Sequence, residues 1–252
     1  MKLSVLSSGS KGNTTYIETK ETKILIDAGN SSKYIIDNLK ELNVDIKDID
    51  AILITHVHSD HIKGLEVLSK RIKCPVYITK KMYPYLDYLT NYIFIDDNKI
   101  TIKDIQIDTI KTSHDTEESL GYIITNNDKS IVHITDTGYI NQKYFDIISN
   151  KTIYVFESNH DIEMLNNGRY PFHLRQRILS DKGHLSNYDS AKYLSQFIGN
   201  NTKEIILAHL SEENNTEELA LKALKDRLLK EEIPFNNIII AKQNKKTELI
   251  NL

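Results

Sequence analysis

Short runs of apolar, mostly β-branched residues recur along the chain, each followed by a polar loop and often by a stretch with helical periodicity. That alternation predicts a layered α/β architecture. Residues 3–6 and 15–19 read as strands joined by Ser7-Ser8-Gly9-Ser10-Lys11-Gly12-Asn13, and 24–27 as a third that runs into Ala28-Gly29. Ser31 or Ser32 is placed to cap an amphipathic helix ending near Leu42. Residues 51–54 predict a buried strand, 61–70 a helix, 75–78 a strand, and the tyrosine-rich 80–89 a further helix. Two or three strands follow within 92–110, then a pair at 121–125 and 130–135, a helix over 142–148 and a strand over 152–156. Ser186 or Asn187 caps a helix reaching Phe197. A strand at 203–208, a long helix at 216–231 and strands at 237–241 and 247–250 close the pattern. With 252 residues and no repeat or low-complexity linker, one α/β domain over 1–252 is the simplest organisation.

Chemistry concentrates in Thr55-His56-Val57-His58-Ser59-Asp60-His61. Three imidazoles and a carboxylate lie in six residues, directly after the strand 51–54, where α/β folds place their reactive loops. Imidazole nitrogen and carboxylate oxygen suit zinc, manganese or iron, and the spacing can serve two adjacent ions. His114, Asp136 and His209 each follow another apolar run, so a layered sheet can gather them with His56, His58, Asp60 and His61 at one edge. His133 lies inside a strand and reads as a packed or supporting histidine. Asp27 is either a turn-former or a carboxylate that orients a ligand histidine. The Ser/Gly connection 7–13 is either an ordinary turn or a loop whose amides approach a ligand. The tyrosines of 80–89 stack on bases or, more simply, pack half-buried.

Composition narrows the partners. A net charge of −3 and a pI near 6.3 exclude a generally basic nucleic-acid coat but leave room for a local patch. Residues 164–182 carry Arg169, His173, Arg175, Arg177 and Lys182, the clearest basic concentration, although a solvated helix face accounts for it equally. Cys74, the one cysteine, rules out an internal disulfide and fits a cytoplasmic setting. Beside Pro75 at a strand start, it reads as packing rather than as a reactive thiol. The apolar run at the amino terminus is too short for a signal peptide, and no stretch approaches a membrane span.

The His-x-His-x-Asp-His run with its later single ligands resembles the metallo-β-lactamase superfamily, whose fold is an αββα sandwich. The resemblance implies that His56, His58 and His114 hold one divalent ion, Asp60, His61 and His209 a second, and that Asp136 bridges them. Gly183-His184-Leu185-Ser186 before a helix, and a later strand ending in His209-Leu210-Ser211, look like the phosphodiesterase branch typified by RNase Z. There an extra histidine paired with a glutamate assists the leaving oxygen; His184 and Glu157 match those positions. Leu-Ser-Ser-Gly-Ser-Lys-Gly-Asn at 6–13, Glu-Ser-Asn-His-Asp at 157–161 and Gly-His-Leu-Ser-Asn at 183–187 together resemble the WalJ (YycJ) family of DNA 5′-exonucleases. Membership implies a 5′-to-3′ DNA exonuclease with two divalent ions (zinc, manganese or iron) that bridge an attacking hydroxide. RNA is the second substrate class. An RNase Z-like RNA nuclease or a glyoxalase II-like thioester or lactone hydrolase is the alternative. Only residues 137–208 separate Asp136 from His209, which leaves no room for a β-CASP insertion. Terminal phosphate is assigned to Ser8, Ser10, Lys11 and Asn13, with Asn159, His160, Arg175 and Arg177 as further candidates.

Overall fold

The computed structural model describes residues 1–252, which form two seven-stranded sheets. In the first, β1 (Lys2–Ser7), β2 (Thr14–Glu18) and β3 (Lys23–Ile26) run antiparallel. The sheet continues in parallel through β4 (Ala51–Leu53), β5 (Val76–Ile78) and β6 (Tyr92–Phe94). The second sheet opens with an antiparallel meander, β7 (Lys99–Ile102), β8 (Ile105–Lys111), β9 (Leu120–Asn126) and β10 (Lys129–Ile134). It too turns parallel, through β11 (Ile153–Glu157), β12 (Glu204–Ala208) and β13 (Ile238–Ile240). The last strand, β14 (Ile250–Asn251), returns to β1.

Strand composition explains the layering. Along β10 and β11, Ile131, Ile153 and Val155 enter the core shared with the first sheet. The intervening Val132, Ile134, Tyr154 and Phe156 enter a second core under the helices. Both faces are buried, so these strands read as continuous apolar runs rather than alternating ones. Outside the first sheet lie α1 (Ser32–Glu41), α2 (Ser59–Ile62) and α3 (Leu65–Ser69). Ile35, Leu39, Leu65 and Leu68 belong to the first core. Against the second sheet pack α4 (Phe145–Ile148), α7 (Asn187–Phe197) and α8 (Glu217–Lys230), through Ile148, Leu194, Phe197, Leu224 and Leu228. The result is the expected αββα sandwich. Between Asp136 and His209 the chain adds a 3₁₀ turn, α4, β11, two short helices α5 (Ile162–Asn167) and α6 (Phe172–Ile178), α7 and β12.

Of the cap candidates, Ser31 caps α1 and Ser186 caps α7, and Thr216 caps α8 in the same way, each accepting a backbone N–H. Four expectations need correction. Residues 61–70 are two short helices, because Gly64 breaks the run. Its N–H donates to the Ala28 carbonyl at 2.8 Å, and a Cβ there would lie 2.2 Å from the Asn30 oxygen. Residues 80–89 hold only a 3₁₀ turn at Tyr83–Tyr85, since Pro84 withholds a backbone donor. Tyr83 instead packs on Tyr92 and Phe94, with centroids 5.1 and 5.8 Å away. The helix over 142–148 begins as a 3₁₀ turn, Gln142–Tyr144. Thr247 bonds to Val5 through its backbone and hydroxyl, leaving the final strand only two residues long. No helix is long and apolar enough to cross a membrane.

Candidate metal centre

Both sheets present their carboxyl-terminal strand ends to the same edge. There β3 delivers Asp27, β4 the loop 54–61, β8 His114, β10 Asp136, β11 Glu157 and β12 His209. Asp27, Asp136 and His209 have φ of 60°, 56° and 57°. A non-glycine residue in the left-handed region costs about 1–2 kcal/mol. That three of them sit at this one edge marks it as a place where backbone comfort yields to side-chain placement. The loop 54–61 is pinned by main-chain bonds: Asn13 N–H donates to the Asp60 carbonyl at 2.7 Å and Ala28 N–H to that of His61 at 2.8 Å.

The imidazole and carboxylate groups converge tightly. Ligand atoms of His56, His58 and His114 lie within 4.8 Å of one another, as do those of Asp60, His61 and His209. Asp136 stands between the two sets, its oxygens 3.1 Å from His61 Nε2, 3.5 Å from His209 Nε2 and 3.7 Å from His114 Nε2. His56 Nε2, Asp136 Oδ2 and His209 Nε2 are buried with no hydrogen-bond partner. Leaving such atoms unpaired costs about 1–3 kcal/mol each. An all-nitrogen-and-oxygen donor set with three orphaned atoms fits divalent cations.

Outward-facing nitrogens are held by the protein. His61 Nδ1 donates to Asp27 Oδ2 at 2.7 Å, and Thr55 donates to the same carboxylate through its N–H and hydroxyl. His114 Nδ1 donates to the Gly183 carbonyl at 3.1 Å, and His209 Nδ1 to Glu157 Oε1 at 3.0 Å. Each contact places the proton on Nδ1 and leaves Nε2 as the inward donor, the usual way a carboxylate or carbonyl orients a metal-binding histidine. Burial drives His56 well below the ordinary histidine range. Burial opposes charge on His209 too, but Asp136, Asp60 and Glu157 outweigh it and push the group up to about 10. Burial likewise resists ionisation of Glu157, yet His184 and His209 hold it down at about 2. A cation entering this cluster releases protons from it.

Next to the cluster, His184 Nδ1 lies 2.7 Å from Glu157 Oε1. Glu157 Oε2 accepts the N–H groups of Thr137 and Leu185 at 2.9 and 3.2 Å. A cleft of about 270 Å³ opens over these groups, with His58, Asp60, His114, Asp136, His184 and His209 on its floor. Tyr170, Leu174, Arg177 and Ile178, from α6 and the turn before it, form one wall.

The expected phosphate-binding residues separate into three groups. Ser10 and Arg177 line the cleft, as does Asn159, whose amide also donates to the His209 carbonyl at 2.9 Å. Ser8 is buried and its hydroxyl accepts His209 N–H at 2.7 Å. Asn13 is buried too, accepting Gly9 N–H at 2.7 Å and reaching Asp60 and His61. Both therefore brace the cluster from behind. His160 is 1% exposed and stays out of the cleft lining, its imidazole pushed down to about 4 by burial. Lys11 pairs with Glu212 at 2.6 Å, and Arg175 turns to the Asn166 carbonyl. His133 bonds Thr15 Oγ1 at 3.1 Å, away from the cluster. Lys182, from the basic stretch, and Gly183, from the Gly-His-Leu-Ser motif, line the cleft, and Asp115 joins them although the sequence expectations assign it no role. The one signal that could have found Asp115 is its position next to His114.

Residues 22–209 match the family model of the Beta-lactamase superfamily domain. The chain is 43% identical over 227 residues to the exodeoxyribonuclease YycJ of Bacillus anthracis, covering 87% of this chain and 86% of that one. It is also 43% identical over 236 residues to the exodeoxyribonuclease WalJ of Streptococcus pneumoniae, with 90% and 88% covered. Among solved structures, the metallo-β-lactamase fold protein YhfI from Bacillus subtilis superposes with a TM-score of 0.75 at 18% identity, over 98% of both chains. On the fold, the His-rich cluster and these likenesses, the chain belongs to the metallo-β-lactamase superfamily and, within it, to the family of the YycJ and WalJ proteins.

Proposed function

We propose that this chain, one domain over 1–252, is a metal-dependent phosphodiesterase that removes nucleotides from DNA 5′ ends. One observation carries the reading. The His184–Glu157 pair sits beside the His/Asp cluster and faces the same cleft. A hydrolase of acyl groups has less need of a second histidine poised to protonate an alkoxide. The 43% identity to two exodeoxyribonucleases supports DNA as the substrate.

His56, His58 and His114 would hold one divalent ion and Asp60, His61 and His209 another, with Asp136 facing both. Nitrogen and oxygen donors admit zinc, manganese or iron. Such ions, when bound, supply a water nucleophile at neutral pH and offset charge on the phosphate. Asp27, Glu157 and Gly183 keep the histidines in the tautomer that points Nε2 inward. Water adds to phosphorus, the bond to the 3′-oxygen breaks, and a new 5′-phosphate remains on the shortened strand. His184, with Nδ1 tied to Glu157, gives a proton from Nε2 to the departing oxygen, a role worth about 10²–10⁴ in rate. Ser10, Asn159 and Arg177, which line the cleft, would meet substrate phosphates. Ser8 and Asn13 act from behind the cluster. A single cysteine, Cys74, which leaves no internal disulfide to form, accords with a cytoplasmic enzyme.

The test is digestion of duplex DNA labelled at either the 5′ or the 3′ end, with Mn²⁺ or Zn²⁺, by the protein and its Asp60→Ala variant. Early short products from the 5′ label, absent with the variant, are expected. Intact DNA under every metal condition would overturn the reading, and cleavage of RNA alone would redirect it.

A further inference from the structure

Resting on that reading, we infer that the wall of the cleft is the subsite for the departing nucleotide, and that Asp115 is the positioning residue that aims Arg177 at its phosphate. His184 marks the leaving-group side of the cleft, and Tyr170, Leu174, Arg177, Ile178 and Lys182 line that same cleft. At about 270 Å³ the space suits one nucleotide rather than a run of several. Tyr170, Leu174 and Ile178 offer a mixed aromatic and aliphatic face for a base. Arg177 and Lys182 offer cations for a phosphate.

The cations of this region are not equivalent. Lys11 is engaged by Glu212 and Arg175 by a backbone carbonyl. Arg177 spends only Nε, which donates to Asp115 Oδ2. A guanidinium has five N–H donors in a fixed plane, so the Nη1 and Nη2 groups remain for an anion. Lys182 is exposed in the same cleft and has no ion-pair partner. Asp115 fixes the direction of that plane. Its Oδ1 lies 3.4 Å from His114 Nε2 and 3.7 Å from His58 Nε2 while Oδ2 takes Arg177. One carboxylate thus holds the guanidinium beside the two histidines of the cluster, with the Nη edge left free. A bidentate arginine–phosphate pair is direction-dependent, so losing the tether matters even with the charge retained.

The test compares duplexes carrying a 5′-phosphate or a 5′-hydroxyl, read as the ratio of their kcat/KM values, with bound metal counted in each protein. The wild-type ratio is expected to be about tenfold or more, as a charge-assisted bond is worth. Arg177→Ala and Asp115→Ala should each bring it near one, and the double variant should go no lower than Arg177→Ala alone. Asp115→Asn, which keeps an accepting oxygen, should retain part of it. A wild-type ratio of one, an Asp115→Ala ratio like wild type, or loss of metal in Asp115→Ala would each overturn the inference. Failure of the wild type to cut either duplex would instead overturn the nuclease reading itself.

Discussion

Asp27 accepts a hydrogen bond from His61 at 2.7 Å, and neither side chain has measurable contact with solvent beyond 1%. Thr55 supplies the carboxylate with two more donors at 2.8 Å, so Asp27 is held rigidly as well as buried. Asp27→Ala removes the group that fixes the His61 ring and its tautomer. Partners of this kind are worth about 10–100-fold in metal affinity. Competition with a chelator of known affinity should show a loss of that size for one ion while the other is held more nearly as before. Unchanged affinity for both would sink the assignment.

His184 and Glu157 touch, yet their substitutions should differ. His184→Ala removes one imidazole from the cleft; metal content should stay at the wild-type level while turnover falls by about 10²–10⁴. Glu157→Gln is harsher despite conserving shape. One oxygen accepts from two rings and the other from two backbone N–H groups. Either orientation of the amide therefore aims its NH₂ at donors. Metal content as well as rate should drop, because the amide either turns its NH₂ on the His184 and His209 rings or clashes with the Thr137 and Leu185 N–H groups that hold it in place. If His184→Ala loses metal instead, His184 is itself a ligand.

Much of the site is legible in the chain because every candidate ligand follows an apolar run, and parallel strands bring such ends to one edge. The density of residues 56–61 has no ordinary packing explanation. The loop 7–13 was not decidable in the same way. Serine, glycine and asparagine suit a ligand cradle and an internal brace alike, and what selects the second for Ser8 is a bond to the distant His209 amide. The tyrosine-rich stretch 80–89 reads as a helix, but Pro84 inside it holds the chain to a single 3₁₀ turn. Asp115 has no pattern in the chain that links it to Arg177, 62 residues away; only folding lays the two together.

Gly29 lies where three segments cross. A Cβ there would fall 1.6 Å from the Asp60 carbonyl oxygen and 2.6 Å from the Asn13 nitrogen, with Gly29 N–H already bonded to the Asn13 carbonyl at 2.9 Å. No rotamer relieves a clash with backbone. Gly29→Ala should therefore cost about 2 kcal/mol or more and displace Asp60 from the cluster. Thermal melts with and without chelator separate the two effects. The steric deficit should persist in chelator, whereas wild-type protein gains more than the variant when metal is restored. A variant that melts like wild type in both conditions would contradict the close approach.

At the opposite end of the sandwich, Asp104 joins the two sheets. It sits in the turn between β7 and β8 and accepts the hydroxyls of Thr19, at 2.7 Å, and Thr22, both in the turn between β2 and β3. Asn126 adds a donor at 3.1 Å. Burial opposes ionisation, but the two threonine hydroxyls outweigh it and hold the carboxyl below its usual range. A group depressed in the folded state stabilises fully above its unfolded value and loses that contribution as pH falls through the folded one. Asp104→Asn should thus melt earlier than wild type at pH 7, by the equivalent of about 1 kcal/mol. The difference should shrink below about pH 4, where the unfolded carboxyl begins to protonate. Metal content and turnover should be unchanged at 25 °C, since the site lies at the other ends of these strands. A deficit that stays constant down to the lowest pH at which both proteins fold would show that the amide is penalised for its shape rather than for its missing charge.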